Sequence, residues 1–184
     1  HFYDPHHPYY HPPGFQDIED PYDAEIAYVD SQIKRLYDSI NDLDTATNWV
    51  IIADHGEALN GEHGESSHGL FLYDSTMRIP FIIKPSTPLP SHIYENETTV
   101  SVVDVLPTTL SLLNIPYKGN IDGVDLSPLL EGSKIERPGV YLESYTVKNR
   151  FGFHPEIGWV KNAQKAIATP NGELFFLKED PNEQ

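Results

Sequence analysis

The sequence predicts an α/β fold with a small antiparallel sheet appended at its C-terminal end, and three patterns carry that expectation. One stripe of apolar residues at steps of three and four marks a long amphipathic helix. Short unbroken apolar runs bounded by polar residues mark strands, and these alternate with helical stretches as far as about Tyr145. Beyond Tyr145 the runs shorten and follow one another across turn residues, as in a meander. The 184 residues amount to one ordinary domain. Hydrophobic residues make up 39% and aromatics 11%, enough to bury a core.

Residues 4–21 are crowded with Pro, His and Tyr and are expected to be irregular, because Pro neither donates to a ladder nor continues a helix. Tyr22, Ile26, Val29, Ile33, Leu36 and Ile40 then form the helical stripe, which predicts a helix over 21–42. Asp23 and Glu25 lie early in it and Lys34 and Arg35 later, as the helix dipole favours. Glu25 and Asp30 read as solvated charges on its outer side. The run from Trp49 to Ala53 reads as a strand buried on both faces.

A second strand is expected over 79–83, with Pro80 placing its start near an edge or bulge, and a loop over 85–97. Residues 102–113 read as a helix with Val102, Val103, Leu106, Leu110 and Leu113 on one side, and Pro107 implies a kink or a late start. A helical turn over 126–130 and a strand over 140–143 complete this part. Three strands over 158–162, 164–169 and 173–177 follow, with Pro170-Asn171-Gly172 as the hairpin turn between the last two. The expected division is an α/β core portion over 1–145 and an antiparallel β subdomain over 146–184.

Charge narrows the partners. Asp and Glu number 28 against 12 Lys and Arg, a formal charge of −16. That argues against nucleic acid and against anionic membrane surfaces, both of which are held through Lys and Arg. There is no run long and apolar enough for a membrane segment. With no cysteine, disulfides and thiolate metal sites are excluded. The chain opens His1-Phe2-Tyr3-Asp4 without a visible targeting segment and ends in polar residues, so it reads as a portion of a longer protein.

Seven of nine histidines fall in two stretches: His1, His6, His7 and His11, then His55, His63 and His68. Asp54-His55-Gly56 directly follows the first apolar strand, where open α/β sheets place ligand-binding groups. An Asp oxygen and an imidazole nitrogen there can hold a divalent cation, with Glu57 orienting a ligand from behind. The alternative is an Asp that caps the next turn beside an exposed His. Four glycines between Gly56 and Gly69 imply a loop whose backbone approaches something closely. On it, His68 suits hydrogen bonding to an anion or protonation of a leaving group, whereas His63 reads as bonding loop carbonyls. Arg78 could clamp an anion but reads first as a structurally paired residue, and Asp104 reads as a helix cap.

Taken in order, several segments resemble the sulfatase family of the alkaline phosphatase superfamily. They are the helix Tyr22 to Asp30, the strand ending Asp54-His55-Gly56-Glu57, Gly61-Glu62-His63-Gly64, Leu72 to Pro80, Val103 to Thr108, Asp122 to Leu126, and Leu174 to Glu183. The resemblance implies the C-terminal part of an alkaline-phosphatase-like sandwich, a mixed sheet with flanking helices, plus the small antiparallel subdomain. It implies a metal-dependent hydrolase cleaving sulfate esters. Asp54 and His55 are similar to metal ligands, for Ca2+ in typical sulfatases or Mn2+ or Zn2+ in phosphodiesterase-like members. His6 is similar to a histidine that contacts the sulfate, and His68 stands where many sulfatases have lysine. Both are the expected catalytic and substrate-binding residues.

His55 also departs from the pattern, since many sulfatases have Asn there, so a phosphodiesterase or phosphonate monoester hydrolase is the alternative. The formylglycine nucleophile of the family arises from Cys or Ser in a Cys/Ser-x-Pro-x-Arg motif, and a first Asp-Asp pair supplies further metal ligands. This chain contains neither. The expectation is therefore a fragment, inactive alone, whose partners are a sulfate-ester substrate and the N-terminal portion of the same protein. The rival from another class is a non-catalytic metal-binding or interaction module. An Asn96-Glu97-Thr98 sequon is present.

Overall fold

The computed structural model describes residues 1–43, 45–59, 61–89 and 98–184. Asn96 and Glu97 of the sequon, and residues 90–97 of the expected loop, lie outside these. Among the described residues no helix is long and apolar enough to cross a membrane. The chain divides into two compact units, His1–Thr47 and Asn48–Gln184.

In the first unit an irregular stretch leads into α1 (Pro21–Asn41). Asp20 caps it by accepting the Tyr22 N–H at 2.8 Å, and Pro21 stands at the first helical position, where its missing donor costs nothing. Edge-to-face contacts of Tyr9 with Tyr22 (5.2 Å between centroids) and Phe15 with Tyr28 (6.0 Å) pack the stretch on the helix. Glu25 is not the solvated charge expected of it. It is buried, and its carboxylate accepts the backbone N–H groups of His6 (3.0 Å) and Tyr10 (2.8 Å). A Pro-rich segment has neither ladder nor helix to satisfy its amides, so a buried carboxylate does it.

The second unit begins with β1 (Trp49–Ile52), antiparallel to β2 (Phe81–Lys84), with Trp49 opposite Lys84 and Ile52 opposite Phe81. Here the expectation of a strand buried on both faces fails: Ile52 is 40% exposed and Ile82 53%. Side chains alternate between faces, and in a sheet of two strands the described residues do not fully cover both. Between these strands lie a 3-10 turn (Glu62–Gly64) and the short helix α2 (Asp74–Met77).

A 3-10 turn (Val102–Asp104) then runs into α3 (Val105–Leu112), so Pro107 falls in the first turn and the helix starts late. Val102, Val103, Leu106 and Leu113, expected on one apolar side, are each about half exposed. What is buried is Asp104, which accepts from the Ser101 N–H (2.7 Å), the Val124 N–H (2.8 Å) and the Arg137 guanidinium (2.6 Å). Its side chain does not cap α3, as the sequence suggested, but closes a capping box with Ser101 on the preceding 3-10 turn and serves as a hub. Helix α4 (Ser127–Leu130) is tied to α3 through Thr108, whose hydroxyl accepts the Leu126 N–H at 2.9 Å.

β3 (Val140–Ser144), β4 (Glu156–Lys161), β5 (Gln164–Ile167) and β6 (Glu173–Phe176) form a second sheet in that order, every pair antiparallel. The hairpin turn closes with the Gly172 N–H on Thr169 O at 3.0 Å, and Gly172 takes a φ of +66°. Between β3 and β4 lies α5 (Thr146–Phe151), which periodicity did not reveal because it is only six residues long. Its C-terminus is closed by Gly152 at φ +74°.

The core of this unit contains Leu72, Leu126, Val140, Val160 and Ile167, and also the fully buried Lys165. The Lys165 ammonium donates to Leu72 O (3.0 Å) and to the Asp74 carboxylate, and pairs with Glu183 Oε1 at 2.7 Å. Glu183 Oε2 accepts the Asp74 N–H. Nearby, Tyr73 donates to Glu173 at 2.9 Å; burial, reinforced by that carboxylate, raises its hydroxyl pKa. Glu156 Oε2 is buried with no hydrogen-bond partner. Burial, then the neighbouring Glu173 and Glu65 charges, push its carboxyl up to about 7 against a Leu72 backbone bond that lowers it.

Two predictions follow from this packing. Lys165→Ala leaves the Asp74 and Glu183 carboxylates uncompensated and is expected to lower unfolding stability by about 3 kcal/mol in urea titration; a loss below about 1 kcal/mol would refute the anchoring role. For Glu156 the folded-state pKa lies above the ordinary 4.5, so its contribution is fully present below about pH 4.5 and is lost as pH rises through about 7. Glu156→Gln should therefore raise the melting temperature at about pH 8 more than at about pH 4, and a pH-independent shift would contradict the assignment.

Candidate metal and substrate site

β1 delivers the chain to Asp54, whose side chain is 85% exposed, and to His55, whose ring is about one-third exposed. The turn after them is tight: the Gly56 N–H bonds Thr76 O at 2.7 Å, and a Cβ on Gly56 would meet Ser75 O at 2.5 Å. Only glycine fits that approach. His55 Nδ1 donates to Gly56 O at 2.9 Å, which leaves Nε2 with its lone pair, 3.8 Å from Asp54 Oδ2. Two donors at that separation can both reach one divalent ion at metal–ligand lengths of roughly 2.0–2.5 Å, so the pair fits a cation.

The glycine-rich loop returns beside this turn and is closed by the Ala58 N–H on Ser67 O at 2.9 Å. Buried Glu65 accepts the N–H groups of Leu70 (2.7 Å) and Phe71 (3.3 Å). Ser144 at the end of β3 donates to Gly69 O at 2.7 Å, which fixes the loop to the second sheet. His68 is thereby stacked on His55 with ring centroids 3.6 Å apart and 26° between planes. Its Nδ1 contacts the carboxylate of Glu57, whose side chain is only 9% exposed, and that oxygen also lies 3.7 Å from His55 Nδ1.

Asp54, His55 and His68 are thus brought together, with Glu57 behind both imidazoles. His6 lies in the first unit, half-buried, where its Nδ1 donates to His7 O (2.7 Å) and its ring stacks on Tyr3 with centroids 4.3 Å apart. His63 bonds a carbonyl, Asn182 O at 3.0 Å, and stacks on Tyr73, as a structural histidine does. Arg78 is exposed and has no ion pair among the described residues, so the expected structural pairing is not found. Glu65 and Ser144 were not singled out from the sequence. Their partners are backbone groups, and no residue pattern announces a backbone contact across 75 positions.

A family model for sulfatases matches residues 1–115. The uncharacterized sulfatase YidJ of Escherichia coli strain K12 is 30% identical over 161 residues, covering 85% of this chain and 31% of that protein. A solved structure described as BT4656 in complex with its substrate D-glucosamine-2-N,6-O-disulfate is 26% identical, with a TM-score of 0.71 over 89% of this chain and 34% of that one. The phosphonate monoester hydrolase of Agrobacterium radiobacter shares the fold, with a TM-score of 0.69 and 21% identity over 89% of this chain and 35% of that one. The chain therefore spans about a third of the length of these proteins.

Proposed function

The chain belongs to the sulfatase family, with an alkaline-phosphatase-like fold, and on that premise we propose that it forms part of a metal-dependent enzyme hydrolysing sulfate esters. The observation that carries this reading is the Asp54–His55 pair at the end of β1, with donors 3.8 Å apart and His68 stacked beside it. Asp54 and His55 would hold the divalent metal, Ca2+ by family resemblance. When bound, such a cation offsets negative charge developing on the transferring group.

The chain's own residues do the remaining work on this side of the site. With Nδ1–H donated to Glu57, the doubly protonated His68 ring presents Nε2–H to the ester oxygen and assists departure of the alcohol by hydrogen bonding or proton donation. His6, whose Nδ1 donates to His7 O and whose Nε2 lies 3.2 Å from the Tyr3 hydroxyl, is by family resemblance the second residue proposed to contact the sulfate. The nucleophile comes from elsewhere in the protein, since this chain has no cysteine and no Ser-x-Pro-x-Arg. The remainder of the same protein is thus the proposed partner. The half-exposed Ile52, Ile82, Val102, Val103 and Leu106 support that assignment, because they are apolar surface suited to further chain.

A second reading, phosphodiester or phosphonate monoester hydrolysis on the same scaffold, is favoured by one residue. An imidazole donor at His55 suits Mn2+ or Zn2+ as well as Ca2+. Aryl sulfate and aryl phosphonate monoester assayed side by side separate the two.

In the full-length protein, Asp54→Ala is expected to lower kcat/KM for sulfate-ester hydrolysis by about 10³-fold or more, roughly 4 kcal/mol of transition-state stabilisation. Unchanged hydrolysis would leave the chain a non-catalytic metal-binding or interaction module.

A further inference from the structure

Directly after β3 the chain runs beside the loop that carries His68. Ser144 donates to Gly69 O at 2.7 Å, and a Cβ on Gly69 would stand 3.8 Å from Thr146 Oγ1. Thr146 and Val147 are half-buried, and every residue from Lys148 to His154 is exposed. Among these are Lys148, Arg150, Phe151 and Phe153, the two phenylalanines 61% and 69% exposed. We propose that residues 145–154 form the surface that reads the substrate beyond its ester group, and that they take a sugar ring carrying a second anionic group. This rests on the hydrolytic reading above and names the substrate class of the same site.

Charge sets the stretch apart. Residues 144–155 hold Lys148 and Arg150 and neither Asp nor Glu, a formal charge of +2 in a chain of −16. Among the described residues neither cation takes part in an ion pair, and the Lys148 ammonium lies 5.4 Å from the centroid of the Tyr145 ring. Cations without carboxylates, beside a substrate site, are available to an anion of the substrate, and the planar guanidinium suits the paired oxygens of a sulfate or carboxylate. Arg150 stands four positions after Thr146, and so on the side of α5 that Thr146 presents to Gly69.

Apolar surface supplies the other half. Gly152, at φ +74°, turns the chain after α5, and Phe151 and Phe153 lie with ring centroids 6.5 Å apart and 31° between planes. Large aromatic faces this exposed mark a surface made to be covered. A pyranose has an apolar face of C–H groups that stacks on such rings, while its polar and anionic substituents project from the edge towards neighbouring cations. An uncharged ring would cover the phenylalanines and leave both cations unmatched, so the second anionic group is part of the proposal.

The test uses the full-length protein with an aryl monosulfate and with a disaccharide bearing one sulfate ester and one uronic acid carboxylate. Lys148→Gln with Arg150→Gln is expected to lower kcat/KM for the disaccharide at least about tenfold more than for the aryl ester, chiefly through KM. Phe151→Ala with Phe153→Ala should lower the same ratio about fivefold. At about 0.5 M NaCl the wild-type preference for the disaccharide should shrink, because exposed ion pairs are screened. Lys34→Gln with Arg35→Gln removes equal charge from α1 and should leave the ratio within about twofold. Calorimetric titration with the disaccharide repeats the comparison as dissociation constants, so the surface is tested whichever ester the protein hydrolyses. Cleavage of aryl phosphonate alone would sink the functional reading and leave this comparison standing. Equal losses on both esters, or disaccharide binding unaltered in Lys148→Gln with Arg150→Gln, overturns the proposal. A melting temperature lowered in Phe151→Ala with Phe153→Ala, with disaccharide binding unaltered, assigns the rings to cover by further chain and overturns it likewise.

Discussion

In the second unit a buried ammonium group is the point at which distant segments of chain are joined. Lys165 enters from the middle of the four-stranded sheet and meets Leu72 O, the Asp74 carboxylate and Glu183. Leu72 and Asp74 directly follow the glycine-rich loop, and Glu183 stands one residue from the last position. A charge with no exposure is tolerated only when opposite charges and oriented acceptors surround it. Those partners therefore have to be where they are, and the loop that carries His68 inherits its position from them.

The same logic explains why so acidic a chain folds. Glu25, Glu65, Asp104 and Glu183 are all buried, and each accepts at least one backbone N–H, from irregular segments for the first three and from the first residue of α2 for Glu183. Carboxylates of this kind satisfy the backbone donors that irregular segments and helix N-termini leave without a partner. A formal charge of −16 thus reflects internal anchors as well as surface. Glu156 marks the limit of the scheme. It adds a further carboxylate near Glu65 and Glu173, and its buried oxygen finds no donor.

The candidate site uses both devices. A strand end presents Asp54 and His55, a glycine permits the turn against Ser75 and Thr76, and Glu65 with Ser144 fixes the loop that stacks His68 on His55. Nothing in this arrangement depends on His68 being near His55 in sequence. Thirteen positions separate them, and the loop closure between Ala58 and Ser67 brings them together.

By itself the sequence determined the elements with strong local signals: α1 from its apolar stripe, the strands of the meander from their turns, and the late start of α3 from Pro107. It also marked Asp54-His55-Gly56 and the histidine loop, because residue type and adjacency are local information. Burial was not legible. Glu25 looked like a surface charge and Ile52 like a core residue, and each proved the reverse, because exposure is decided by what another segment covers. Only the tertiary structure could place Glu57 between two imidazoles and Lys165 among carboxylates. Such contacts are selected by the energy of desolvated charge, which belongs to an arrangement in space and leaves no period along the chain.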